Sequence, residues 1–240
     1  MTNEMDEIER FAKSTLGAMP ELVKLLGNHN VEMAKEQFRE NMTLYLGRTK
    51  LPKKILALTA LSVSLANGQS DSAMIHFKLA QKFEASMLEI LDSIKAAKMA
   101  LMSSTMALVV AIQPVVEKFT GPSHRSAEIE KILNHVKSES GMDFLPENLS
   151  SLASVSFNLL EEHLKEKADL MSPLEVEQKY LFLMAFAVSI SIRYEECARV
   201  YLTQFFLNGG RRDEMEDALF LTRFITGNKA LTSSMEILKW

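Results

Sequence analysis

Residues 51–90 read LPKKILALTALSVSLANGQSDSAMIHFKLAQKFEASMLEI, and this stretch decides the fold. A nearly all-apolar segment at 52–66 is followed by a short polar break and then by an amphipathic segment at 71–83. A turn comes next, and a further apolar-rich segment opens with Glu89. Apolar residues recur at helical spacing, and strand-like alternation is not sustained. The stretch therefore predicts three consecutive helices.

The rest of the chain repeats this helical character and predicts an all-α fold. Nine glycines and six prolines are few for 240 residues, and they fall at the ends of periodic segments. The sequences Ser86 to Glu89 and Ser172 to Glu175 both predict capping boxes that start helices. Together with a last helix near the carboxyl end, the predicted helices cover Asn3–Leu16, Asn30–Leu46, Pro52–Ala66, Asp71–Phe83, Met87–Phe119, Arg125–Lys137, Pro146–Ala168, Pro173–Ile192, Glu195–Leu207 and Arg212–Ile225.

The order of elements occurs twice, which indicates an internal repeat. A shift of 125 positions superimposes identical residues in the two halves without a gap, namely Ala60, Val63, Ser64, Glu89 and Asp92 on Ala185, Val188, Ser189, Glu214 and Asp217. Each half has an apolar helix, a polar break, an amphipathic helix, a turn and a helix that opens with glutamate. The sequence therefore predicts two tandem helical repeats, 1–120 and 121–240.

This order resembles the carboxymuconolactone decarboxylase family, which includes the alkylhydroperoxidase-D-like (AhpD-like) proteins. In that family an apolar helix with an early glutamate leads to the motif C-x-x-C-x-x-x-H. In the first half, His76 falls on the family histidine, while Gln69 and Ser72 occupy the cysteine positions and Ala57 the early glutamate position. The resemblance implies an AhpD-like fold for this half and places its chemistry at His76 and Ser72.

The second half keeps a different part of the same motif. Cys197 stands at the second cysteine position, but Tyr194 stands at the first, Tyr201 at the histidine and Phe182 at the early glutamate. The resemblance implies peroxidase or decarboxylase ancestry, with His76, Ser72, Cys197 and Tyr201 as candidate catalytic residues. Each half has therefore lost most of the chemically specific positions.

Cys197 is predicted to be a poor peroxidatic thiol. A thiol reduces a peroxide only as the thiolate, and it needs a second thiol to form the disulfide. The neighbouring Glu195 and Glu196 favour the protonated form, and the family histidine is absent from this half. We expect a structural thiol on a buried helical face shared with Val200, Tyr201 and Phe205.

His76 lies one helical turn after Ser72, so the two side chains could form a hydrogen-bonded pair. A serine beside a histidine invites a nucleophile hypothesis. No acidic residue at helical spacing orients the imidazole, and no glycine-framed turn exposes the serine hydroxyl. The plainer interpretation is a buried histidine whose ring nitrogens have protein partners.

Composition excludes several classes of protein. The net charge of −4 comes from dispersed residues with no basic stripe, which argues against nucleic acid as a partner. The histidines are dispersed, so the sequence predicts no metal site. It has no glycine-rich phosphate-binding loop, so it predicts no cofactor. The single cysteine and the acidic residues 1–10 favour the cytoplasm over export.

The uncharged stretch Met99–Val116 predicts a buried helix or a subunit interface rather than a membrane span, because it contains serines, a glutamine and a proline. Family members with one copy of the unit commonly build hexameric rings. The resemblance therefore implies a homo-oligomer, either a trimer that completes the same ring or a dimer.

The sequence favours a binding or structural protein that kept the helical scaffold and lost dithiol chemistry, with a small-molecule ligand as an open question. Two enzymatic alternatives remain. One is a decarboxylase or isomerase that uses His76 as acid or base, with Arg48, Lys53 or Lys54 holding a carboxylate. The other is an antioxidant thiol protein that uses Cys197 with a partner's thiol.

Overall fold

The computed structural model describes residues 3–121 and 127–240, and these residues form helices without strands, which confirms the predicted all-α fold. Short π-helical or 3-10 turns occur at Met42–Leu46, Thr105–Leu108 and Ile237–Lys239. The helices are α1 Asn3–Leu16, α2 Glu21–His29, α3 Val31–Asn41, α4 Lys53–Ala66, α5 Ser70–Lys82, α6 Met87–Ser104, α7 Val109–Thr120, α8 Ala127–Ser140, α9 Glu147–Val155, α10 Phe157–Leu170, α11 Gln178–Ser191, α12 Glu195–Leu207 and α13 Arg212–Ser233.

Some predicted helices are divided in the structure. The predicted helix Pro146–Ala168 is wrong as a single element, because Ser156 is extended with φ −157° and separates α9 from α10. The Ser156 hydroxyl accepts a hydrogen bond from the Leu159 amide at 3.3 Å, so this residue starts a new helix instead of continuing the old one. The predicted helix Met87–Phe119 is likewise interrupted by the 3-10 turn, and α2 was not indicated by the sequence pattern.

The two predicted capping boxes have different outcomes. At the start of α6, the Ser86 amide donates to Glu89 at 2.9 Å and the Glu89 amide donates to the Ser86 hydroxyl at 3.1 Å, which confirms that box. The predicted start at Pro173 is wrong, because α11 begins at Gln178. The preceding segment stays outside the helix because its amides donate to Asp92: Leu174 at 2.8 Å, Glu175 at 2.9 Å and Val176 at 3.0 Å.

The chain forms two compact units, residues 1–90 with 212–240 and residues 91–211. In the first unit, α4 is the core helix, and every residue from Ile55 to Ser64 is buried. It packs against α5 and α13. A smaller apolar cluster joins α1, α2 and α3 around Ile8, Leu26 and Ala34.

The second unit has the same plan. Its core helix α11 is buried along most of its length and packs against α12. A separate apolar cluster joins α7 to α10 around Val109, Leu133, Leu152 and Leu160. Burial on all sides explains why both core helices are almost uniformly apolar instead of amphipathic.

The shift of 125 positions that underlies the predicted tandem repeat also relates elements of the two units. The shift of 125 positions carries the bounds of α4 onto those of α11 and the bounds of α5 onto those of α12. The same shift relates Gly68, which has φ 69°, to Arg193, which has φ 62°. It also relates Glu84, which has φ 62°, to Gly209, which has φ 83°. Arginine and glutamate rarely adopt this left-handed conformation, so the shared backbone imposes it where one copy lacks glycine.

The same shift also relates two buried carboxylates. Asp217, which the shift relates to Asp92, accepts hydrogen bonds from the amides of Lys50 at 2.8 Å and Leu51 at 3.1 Å and from Arg48 Nε at 2.7 Å. The compact units do not coincide with the ranges 1–120 and 121–240, because α6 and α7 belong mainly to the second unit and α13 to the first. The division into repeats 1–120 and 121–240 therefore stays a prediction made from the sequence.

An exposed apolar stripe runs along the end of α6 and the whole of α7. Its residues are separated by seven, four, three and four positions, which places them on one helical face: Leu101, Leu108, Ile112, Val115 and Phe119. By length and composition alone, the helical stretch Met87–Thr120 could cross a membrane, and 22% of its most apolar window is buried. Val109 lies outside the stripe and belongs to the cluster of the second unit.

We predict that Asp92→Asn destabilises the protein by about 2–4 kcal/mol, because one charge-assisted acceptor is lost and a buried amide group faces unpaired N–H donors. The measurement is urea unfolding followed by circular dichroism. Asp169→Asn, at an exposed position on α10, makes the same chemical change and should alter the unfolding free energy by less than about 0.5 kcal/mol. Equal effects of the two substitutions would contradict the anchoring role of Asp92.

Candidate functional site

The first unit contains a cavity of about 390 Å³. Helices α1, α2, α3, α5 and α13 and the π-helical turn Met42–Leu46 provide its walls. Most of the lining is apolar or aromatic, from Ile8, Phe11, Ala12, Leu22, Val23, Phe38, Ile75, Leu79, Phe224 and Met235. This volume and lining are typical of a pocket for a small organic molecule.

Three residues that line this cavity carry a buried polar atom without a protein partner. The Oδ1 atom of Asn41, the hydroxyl of Tyr45 and the Nδ1 atom of His76 are buried, have no hydrogen-bond partner and belong to lining residues. Buried polar groups in proteins are nearly always hydrogen-bonded, because an unmet group costs about 1–3 kcal/mol. Three residues with such an atom therefore lie around one cavity.

Local structure places these groups. His76 lies on the buried face of α5, and its ring meets the Tyr45 ring edge to face at 5.3 Å between centroids. Tyr45 is directed inward by the π-helical turn, an irregularity that occurs frequently at functional sites. The expectation that His76 would have partners for its nitrogens is wrong at Nδ1, although its burial is confirmed.

Burial fixes the charge of the cavity wall. It lowers the pKa of His76 to about 3, since no acidic group compensates for the loss of solvent. Burial also raises the pKa of the Tyr45 hydroxyl. Both groups are therefore neutral at physiological pH, and the charged lining residues Glu21, Asp71 and Lys78 have exposed side chains at the edge.

Ser72 does not pair with His76. The hydroxyl of Ser72 lies 3.1 Å from the hydroxyl of Ser64 on α4, and both residues are buried. Gln69, at the other cysteine position of the predicted motif, donates through Nε2 to the carbonyl oxygen of Ile225 at 3.0 Å. The arrangement lacks the hydrogen-bonded base that activates a serine nucleophile.

The basic residues predicted to hold a carboxylate have internal partners. Arg48 donates to Asp217 at 2.7 Å, and its guanidinium lies 4.1 Å from the centroid of the Phe220 ring. Lys53 donates to the carbonyl oxygens of Leu46 and Arg48, the latter at 2.6 Å. Lys54 forms an ion pair with Glu89 at 2.7 Å. None of these basic residues lines the cavity.

The second unit has a polar cluster around Cys197, which the shift of 125 positions relates to Ser72 in the cavity lining of the first unit. The cysteine is buried on α12 with Val200, Tyr201 and Phe205, as the sequence predicted. The space beside it is only about 20 Å³, close to the size of one water molecule.

Hydrogen bonds hold this cluster together. Asn148 donates through Nδ2 to the Tyr194 hydroxyl at 2.7 Å, and that hydroxyl donates to Glu196 at 3.2 Å. The Tyr201 hydroxyl lies 3.5 Å from the hydroxyl of Ser103. Tyr194 and Tyr201 stand at the first cysteine and histidine positions of the predicted motif, and both are buried.

The electrostatics of the cluster disfavour a thiolate. Burial raises the pKa of Cys197 to about 12, while the hydrogen bond with Ser103 and the charge of Lys167 oppose this shift more weakly. Burial also lowers the pKa of Lys167, and it lowers that of His163 to about 4, with a smaller contribution from the charge of Lys167. At neutral pH the structure holds Cys197 as a thiol.

Sequence reasoning identified His76 and Cys197 but missed several residues that surround them. Tyr45 and Asn41 were not predicted, because the segment that carries them reads as a continuation of α3. Lys167 was missed because its distance in sequence from Cys197 hides their proximity. Within residues 3–121 and 127–240, no cluster of histidine, cysteine and acidic side chains could hold a metal ion, and His124 lies outside those ranges.

Comparison with solved structures shows the fold. The chain is similar to a candidate gamma-carboxymuconolactone decarboxylase subunit from Burkholderia xenovorans, with a TM-score of 0.82 and 14% identity over 98% of this chain and 95% of the other. No family model and no curated protein matches the sequence. The predicted resemblance is thus confirmed for the fold, while the identity is too low to transfer an activity.

We predict that Cys197 in the native protein reacts slowly with iodoacetamide and shows no half-maximal reactivity below pH 9, because burial raises its pKa to about 12. The measurement is the alkylation rate across a pH series, read by mass spectrometry. Denatured protein, in which the same single thiol is exposed, should give half-maximal reactivity near pH ~8.5.

A peroxide-reduction assay provides the functional control. Wild type and Cys197→Ser should both consume hydrogen peroxide at the rate measured without protein, since a protonated thiol is a poor nucleophile. Half-maximal alkylation below neutral pH, or peroxide consumption that Cys197→Ser abolishes, would show that Cys197 is an activated thiol.

Proposed function

We propose that this protein binds a small molecule in the cavity of the first unit and that it is not a dithiol peroxidase. The observation that carries the proposal is that Asn41, Tyr45 and His76 line one largely apolar cavity and that each carries a buried polar atom without a protein partner. A few directed polar groups in an apolar wall are the usual composition of a ligand site.

Catalysis at His76 receives less support. An imidazole with a pKa near 3 is a weak base, and at neutral pH it lacks the second ring proton that an imidazolium donates as a general acid. Arg48, Lys53 and Lys54 are already held by other groups, and the lining residue Lys78 has an exposed side chain at the edge of the cavity, so no basic side chain is buried in its wall to hold a carboxylate substrate. These features favour binding over decarboxylation or isomerisation.

Thiol chemistry at Cys197 is also disfavoured. A peroxidatic cysteine needs access, a lowered pKa and a resolving thiol. Cys197 is buried beside a space of about 20 Å³, burial raises its pKa, and it is the single cysteine of the chain. A single thiol also agrees with a reducing compartment, and a cytoplasmic location is part of the proposal.

We also propose that the protein is a homo-oligomer, a trimer or a dimer, assembled through the stripe Leu101, Leu108, Ile112, Val115 and Phe119. Monomeric proteins rarely expose a long apolar stripe of this kind. The spacing of seven, four, three and four positions matches the seam that one helix presents to another helix.

We predict that N-phenyl-1-naphthylamine, an uncharged apolar fluorophore, binds the protein at one site per chain with enhanced emission. Val23→Trp places a larger ring in the cavity wall at a half-buried position and should weaken binding about tenfold or more. The measurement is a fluorescence titration of variants whose helical content and unfolding midpoint are first checked by circular dichroism.

The matched control for cavity filling is Val136→Trp. Val136 is also a half-buried helical valine, but it packs against the apolar cluster of the second unit. This variant should bind the fluorophore as wild type does. Unchanged binding in Val23→Trp, or no binding to wild type, would contradict the proposed site.

We predict that light scattering at micromolar concentration shows an oligomer for wild type and a smaller species for Leu108→Glu combined with Val115→Glu, because two charges would be buried at the interface. Leu174→Glu, at an exposed leucine outside the stripe, should leave the assembly unchanged. A monomeric wild type would overturn the proposed assembly, and binding of that monomer to lipid vesicles would assign the stripe to a membrane surface instead.

A further inference from the structure

We infer that the molecule bound in the first-unit cavity is uncharged and largely apolar and carries a hydroxyl group, which pairs with Tyr45 and Asn41. This inference rests on the proposed function and specifies the chemical class of its ligand. It follows from the charges, the polar atoms and the lining of the cavity.

An ionised ligand would have no counterion inside the cavity. His76 is neutral because it is buried, and the charged lining residues Glu21, Asp71 and Lys78 have exposed side chains. Transfer of a carboxylate or an ammonium group from water to such a wall costs several kcal/mol without a compensating pair. An uncharged molecule avoids this cost.

The unpartnered atoms specify the polar group of the ligand. The Oδ1 atom of Asn41 can only accept a hydrogen bond, whereas the Tyr45 hydroxyl can donate one. A hydroxyl group does both, since it donates to Asn41 and accepts from Tyr45. A ligand carbonyl group would accept from Tyr45 but would donate no hydrogen bond to Asn41. A hydrocarbon ligand would form a hydrogen bond with neither Tyr45 nor Asn41.

The remaining lining selects the body of the ligand. Phe11, Phe38 and Phe224 line the cavity with the Tyr45 ring, and aliphatic side chains cover much of the rest of its wall. Aromatic side chains favour flat rings through stacked or edge-to-face contacts. A hydroxylated ring compound, such as a naphthol, fits these requirements.

The test compares three probes with one ring system. We expect 2-naphthol to bind at least tenfold more tightly than 2-naphthoate, because the carboxylate is desolvated without a partner. Naphthalene should bind about fivefold more weakly than 2-naphthol, since it forms no hydrogen bond. Isothermal titration calorimetry near pH 7, where 2-naphthol is neutral and 2-naphthoate is ionised, provides the affinities.

The variant Tyr45→Phe separates the hydrogen bond from the shape of the cavity. It should weaken 2-naphthol about fivefold and leave the affinity for naphthalene unchanged, since only the hydroxyl is removed. Asn41→Ala should give the same difference between the two probes. Equal weakening of both probes would overturn the assignment of the hydrogen bonds.

The outcomes distinguish this inference from the proposed function. Tighter binding of 2-naphthoate than of 2-naphthol overturns the uncharged class while a binding protein remains. Failure of all three probes, with N-phenyl-1-naphthylamine still bound in a manner sensitive to Val23→Trp, overturns the hydroxyl and leaves the site in place. Failure of every compound overturns both proposals.

Discussion

A buried carboxylate anchors the segment in front of the core helix in each unit, and the candidate site depends on it. Asp217 binds the amides of Lys50 and Leu51 and the side chain of Arg48, so the chain cannot enter α4 before residue 53. Lys53 then reaches back to the carbonyl oxygens of Leu46 and Arg48. The π-helical turn that carries Tyr45 is thus connected to Asp217, and an interaction outside the cavity determines where the cavity's donor lies.

Sequence reasoning succeeded where short-range forces decide the structure. The capping box of α6 depends on residues that are close together in the sequence. The nearly uniform apolar composition of α4 and α11 predicts that both helices are buried. It failed where a distant group intervenes. The segment from Ser172 to Glu175 has the residues of a helix start. The amides of Leu174 and Glu175 instead donate hydrogen bonds to Asp92, which lies more than eighty positions earlier. His76 could be found from motif spacing, whereas the groups that complete its cavity depend on that π-helical turn.

The two units differ at the positions that the predicted repeat relates. A shift of 125 positions relates Gln69 and His76 in the first unit to Tyr194 and Tyr201 in the second. Tyr194 is held by hydrogen bonds with Asn148 and Glu196, and Tyr201 is buried beside Ser103. The space beside Cys197 is about 20 Å³, whereas the cavity that His76 lines is about 390 Å³. Volume, more than the helical framework, decides which unit can admit a ligand.

Burial has the same chemical consequence in both units. It keeps the imidazole of His76 neutral by lowering its pKa, and it keeps the thiol of Cys197 neutral by raising its pKa. Both side chains are therefore held in forms that neither transfer protons nor attack peroxides readily at neutral pH. A site whose buried polar groups are neutral and lack hydrogen-bond partners is suited to an uncharged molecule. Such groups are stabilised when a ligand forms hydrogen bonds with them.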